Sequence, residues 1–98
     1  MKTKLEAGPE LDALVAVEVM EVRAFPPNYS TDIGAAWQVV EKLRAGKFVW
    51  IKDCGGFGWR VEILSSSETD IQIDFSVVAD TAPLAICLAA LKVMEAKR

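Results

Sequence analysis

Ala79-Asp80-Thr81-Ala82-Pro83-Leu84-Ala85-Ile86-Cys87-Leu88-Ala89-Ala90-Leu91-Lys92-Val93-Met94 reads as a capped helix that is apolar nearly all round. Asp80 or Thr81 can accept a hydrogen bond from the free N–H groups of the first turn. Pro83 sits where a missing N–H costs nothing. Beyond the cap, Leu84, Ile86, Cys87, Leu88, Leu91, Val93 and Met94 occupy more than one face. A helix without a polar face in its first turns has to be covered on several sides. It is therefore expected at the centre of the packing.

The chain has 98 residues, 52% of them hydrophobic. A single domain over 1–98 is expected, with an ordered core over about 9–96 and a flexible 1–8. Such a chain buries roughly 65% of the surface its unfolded form exposes. The apolar surplus suggests a face covered by a second copy. No apolar run approaches the roughly 20 residues of a membrane span. Met1-Lys2-Thr3-Lys4-Leu5-Glu6-Ala7-Gly8 lacks the apolar segment of a signal peptide. A cytoplasmic chain with both cysteines reduced follows as an expectation. The net charge of −3 opposes non-specific binding to nucleic acid or anionic lipid. The basic groups Lys42, Arg44, Lys47 and Lys92, Lys97, Arg98 fall at predicted helix C-termini, where cations favour the helix dipole.

Upstream, Pro9 at a first helical position and Leu11, Leu14, Val15, Val19 and Val22 at helical spacing predict a first helix. Pro26 and Pro27 stop it. Ser30 or Thr31 is the expected cap of a second helix, with Asp32 in its first turn. Ile33, Ala36, Trp37, Val40 and Leu43 form its apolar stripe. Three strands follow, over 47–53, 59–64 and 70–76. Gly55-Gly56-Phe57-Gly58 and a serine-rich segment link them, and connections this short allow only antiparallel neighbours. Alternation places Trp59, Val61, Ile63 and Ile71, Ile73, Phe75 on one side of the sheet. Arg60, Glu62, Gln72 and Asp74 fall on the other. The first strand is apolar on both faces through Phe48, Val49, Trp50 and Ile51, so part of its second face needs cover. The order is α-α-β-β-β-α around a small three-stranded antiparallel sheet, an α+β arrangement.

The chain has no histidine. That removes Ser-His-Asp and Cys-His sites and a common zinc ligand. Cys54 and Cys87 have no CxxC partner, and the glycine turn joins strand to strand without phosphate-loop spacing. No catalytic residue, metal site or cofactor is expected. Arg60, Glu62, Gln72 and Asp74, with Trp50 beside them, are the best candidate for a ligand or interface face. The alternative is a solvated sheet face with cross-strand ion pairs. Trp37, Trp59 and the phenylalanines read as core rather than as a base-stacking platform.

Tyr29-Ser30-Thr31-Asp32-Ile33-Gly34-Ala35-Ala36-Trp37-Gln38-Val39-Val40-Glu41-Lys42-Leu43, taken with the 79–91 segment, resembles the phage ABA sandwich domain family. The resemblance covers about 11–94. Val17-Glu18-Val19-Met20 is more apolar than the family pattern. The resemblance implies helices on both faces of a small antiparallel sheet, an α-β-α sandwich, in a phage or prophage protein of the bacterial cell. It carries over no catalytic residue. Its matching residues Ser30, Thr31, Asp32, Trp37, Asp80, Thr81 and Pro83 are caps and core on physical grounds too. The expected function is that of a non-enzymatic accessory protein that binds another protein, as a homodimer. The alternatives are a nucleic-acid-associated protein of a phage replication or recombination region, which needs a continuous basic surface, and a metal enzyme built on Glu62 and Asp74.

Overall fold

A computed structural model describes residues 6–22, 26–44, 48–66 and 70–96. Helix α1 spans Pro9–Glu18 and α2 spans Ile33–Leu43. Strands β1 (Phe48–Asp53), β2 (Trp59–Ser66) and β3 (Ile71–Ala79) follow, and α3 (Ala82–Ala96) ends the order. The strands form an antiparallel meander with β2 in the middle and β1 and β3 at the edges. Class and element order are those expected from the sequence. Residues 1–5, read as flexible, and Lys47, read as the start of the first strand, lie outside the described residues. The first helix stops at Glu18 rather than running on to Val22. The third strand runs three residues further than expected, to Ala79.

Helix α3 is the hub. Ala82, Pro83, Ala85, Ile86, Cys87, Ala89, Ala90, Leu91 and Val93 are all buried. One side lies on β2 and β3, another against α2, and another against α1. Its many alanines let these neighbours approach closely, so burial is achieved with small side chains. Leu11, Val15 and Val19 from the α1 region, Val39 and Val40 from α2, and Val61 and Ile63 from β2 join the same core. A helix needing cover on several sides takes it from α1, α2, β2 and β3. The consequence concerns the sheet. Among the described residues the three helices share one core with one face, the inner face of Val61, Ile63 and Val77. The second helical layer implied by the resemblance is not supplied by α1, α2 or α3. On the outer face Phe48, Trp50, Ile71, Ile73 and Val78 are exposed.

Two local devices fix the helix starts. Asp32, extended at φ −114°, caps α2 by accepting from the Gly34 N–H at 3.0 Å. The cap expected at Ser30 or Thr31 is therefore displaced. Thr31 is exposed, and Ser30 is buried and engaged elsewhere. Its N–H and its hydroxyl both donate to Oδ1 of Asp12, each at 2.7 Å, and its Oγ accepts from the Gly8 N–H at 2.9 Å. Asp12 is itself buried on α1. This pair staples the segment before α2 to the start of α1, and it accounts for a carboxylate on the apolar side of a helix. On α3, Thr81 Oγ1 accepts from the Leu84 N–H at 3.4 Å and Pro83 is buried in the first turn. Asp80 is exposed in the connection from β3.

The buried face of α2 is also rotated from the expected stripe. Ala35, Ala36, Val39, Val40 and Leu43 are buried, while Ile33 and Trp37 are half exposed. Facing α3 through small residues brings α2 close and leaves its bulkiest side chains at the flank. The glycine turn is tied by Cys54 N–H donating to the Gly58 carbonyl at 2.8 Å. Gly58 has φ +93°, and a Cβ there would run into the carbonyl oxygen of Ala79. Gly56 has open space around it.

Two stability measurements check this packing. In urea denaturation Gly58→Ala is expected to cost on the order of 3 kcal/mol, from the left-handed backbone and the clash together. Gly56→Ala stays within about 0.5 kcal/mol of the parent. Trp37→Ala is expected to cost about 1–2 kcal/mol, well below the roughly 3–5 kcal/mol of a fully buried aromatic. A larger loss would return Trp37 to the core.

Candidate functional site

The outer face of the sheet is built by register. In β1 and β2, Phe48 lies opposite Leu64, Trp50 opposite Glu62 and Lys52 opposite Arg60. Between β2 and β3 the register shifts: Ile63 faces Phe75, but Leu64 faces Ile73. One extra residue on β3, Asp74, is left in the step. Side-chain alternation is period two, so a single extra residue exchanges faces for everything beyond it. Ile71 and Ile73 are therefore on the outer face and not with Phe75 on the inner one. Gln72 pairs with Ser65 on the opposite side. Asp74 accepts from Ser65 Oγ at 3.1 Å.

The expected constellation is thus divided. Trp50, Arg60 and Glu62 share the outer face; Gln72 and Asp74 turn away from it. What replaces them is apolar. Phe48 (61% exposed), Trp50 (58%), Ile71 (67%) and Ile73 (53%) stand open around Leu64, which is 9% exposed between Phe48 and Ile73. Two strand-separated cations, Lys52 and Arg60, lie side by side at one end. They are far short of a continuous basic track.

A cleft of about 870 Å³ lies along β1 on the inner side. Ile33, Trp37 and Val40 of α2 form one wall, Ile51 and Trp59 the floor, and Pro83 the end. The volume is in the range of small-molecule and peptide pockets. Arg44 is its one charged lining residue, and its guanidinium lies 3.5 Å from the Glu41 carboxylate with both side chains more than half exposed. The cleft exists because α2 packs chiefly on α3 and only leans over β1. Sequence reasoning assigned Trp37 and Trp59 to the core and so missed it. The readable signal is the run Ala35-Ala36, which offers a flatter, closer contact face than Ile33 and Trp37.

Cys87 is buried in α3, and burial together with the charge of Asp12 pushes its thiol up to about 12. It is a neutral core side chain at physiological pH. Cys54, partly exposed at the turn, is also a free thiol. Among the described residues no group of three or more cysteine and carboxylate side chains could hold a metal. Among them, too, no helix is long and apolar enough to cross a membrane. What the two surfaces offer chemically is apolar contact with a polar margin.

Searches of characterised proteins and of solved structures give no match. The family model for the phage ABA sandwich domain matches residues 13–91, which include all three strands and most of the helical core. The chain belongs to the phage ABA sandwich domain family.

Proposed function

We propose that this chain is a phage or prophage accessory protein that works by protein–protein contact and not by catalysis, as a homodimer in the cytoplasm of the bacterial host. The observation that carries this reading is the open apolar face of the sheet: Phe48, Trp50, Ile71 and Ile73 around the nearly buried Leu64. Contiguous exposed apolar patches on a small domain mark interaction sites. Exposed aromatics are the side chains that anchor such interfaces. Trp50 gives that face a tryptophan anchor, with Glu62 opposite it and Arg60 toward one end. Two free cysteines, one of them a neutral core thiol, suit a reducing compartment. A nucleic-acid role finds two adjacent cations, Lys52 and Arg60, on this sheet face and is the weaker reading.

Sedimentation equilibrium across the micromolar range tests the proposal. The expected outcome is a mass near twice 10.7 kDa for the parent and a folded monomer for Trp50→Glu. A parent that sediments near 10.7 kDa throughout would remove the homodimer.

A further inference from the structure

We infer that two copies join edge to edge through β1, antiparallel, with Trp50 of each copy opposite Trp50 of the other, so that the two sheets continue as one of six strands. This deepens the homodimer reading and rests on it.

Strand β1 is an edge strand, so one row of its backbone N–H and C=O groups has no ladder partner within the sheet. It is also the strand whose surroundings are apolar on both sides of that edge. Phe48 and Trp50 stand exposed on the outer face. On the inner side Val49 and Ile51 are half buried, beside the half-exposed Ile33 and Trp37 of α2. Stacking of two outer faces would leave Ile33, Trp37 and the cleft bare. A strand laid along β1 covers side chains on both faces at once. It also removes the edge, which is the feature of a small sheet most prone to uncontrolled pairing.

The occupant is a second copy because the strand is complementary to itself. Directly opposed residues of an antiparallel pair point to the same face. A two-fold axis through the sheet must therefore pair one residue with itself. Three choices lie near the middle of Phe48-Val49-Trp50-Ile51-Lys52-Asp53. Centring on Ile51 sets Asp53 against Val49 on the inner face, an uncompensated carboxylate among apolar groups. Centring on Val49 pairs only three residues of the strand. Centring on Trp50 pairs five. Val49 then meets Ile51 inside, Trp50 meets Trp50 outside, and the Lys52 ammonium meets the Phe48 ring, a cation–aromatic contact. No like charges are opposed.

The exposed rings supply part of the area such an interface takes. The exposed parts of Trp37, Phe48 and Trp50 amount to roughly 300 Å² per copy at the areas such rings bury. A standard interface takes about 800 Å² from each partner, and the strand backbone, Ile33, Val49 and Ile51 add to the ring contribution. Both copies place their helices on the same side of the joined sheet, so the two cleft walls face each other across the axis.

Cysteine cross-linking in a Cys54→Ser background decides the geometry. Opposed residues have Cα atoms about 4.5–5.5 Å apart, within the range a disulfide spans. Trp50→Cys should oxidise to a covalent dimer as the main product at micromolar concentration. Because losing Trp50 weakens the contact, a second pair keeps it: Phe48→Cys mixed with Lys52→Cys should cross-link to each other, and neither with itself. Glu62→Cys, central on the outer face, should stay uncross-linked. A parent dimer that cross-links at Glu62→Cys and at neither β1 combination overturns edge pairing in favour of face-to-face stacking, with the homodimer reading intact. A parent dimer with no cross-link at any position also overturns it. A parent that is monomeric by sedimentation overturns both.

Discussion

Burial of α3 on several sides is the constraint from which the rest follows. Its surface offers no polar face through the turns from Ala82 to Leu91, so α1, α2, β2 and β3 are all drawn to it. The sheet supplies one wall through Val61, Ile63 and Val77, α2 a second and α1 a third. Alanines at Ala82, Ala85, Ala89 and Ala90 make those contacts backbone-close. With α1 and α2 committed to α3, the outer face of the sheet is left to solvent or to a partner. The open cleft beside β1 has the same origin, since α2 cannot lie both against α3 and flat on the edge strand. Architecture and candidate function are two outcomes of one packing demand.

A single residue decides what the open face looks like. Were Asp74 paired opposite Leu64 in a regular ladder, Ile71 and Ile73 would point to the core side, and Asp74 and Gln72 would join Ser76 on the outer face. The bulge reverses that and assembles an apolar patch around Leu64. The side-chain bond from Ser65 to Asp74 holds the step at the point where the ladder is interrupted. Bulges are features that re-aim side chains, and here the re-aimed residues belong to the surface that supports an interaction role.

Much of the fold was legible in local chemistry. Thr81 before Ala82-Pro83, the all-round apolar run after it, the double proline at Pro26-Pro27 and the glycine turn each act through their immediate neighbours, and the element order follows from them. What was not legible depends on distance. Asp12 captures Ser30 across 18 positions of sequence and so passes the α2 cap to Asp32. The face that α2 buries was chosen by Ala35 and Ala36 against α3, not by the bulkier Ile33 and Trp37. A bulge leaves no mark in an alternating pattern that reads equally well in either phase, so Gln72 and Asp74 were grouped with Arg60 and Glu62. The family match covers most of the core and the caps of α2 and α3, and it leaves the choice of partner to the surfaces described above.

The dependence of the whole domain on α3 is open to native-state hydrogen exchange. If α3 is the common wall of every layer, its amides from Ile86 to Leu91 can open only when the sheet, α1 and α2 come away together. They should then be the most protected in the chain, exchanging with the free energy of global unfolding measured by denaturant. Amides of α1 should exchange earlier, through local opening. If the α3 amides exchanged well before those of β2, the sheet would be stable without the helix, and α3 would be a peripheral element and not the hub.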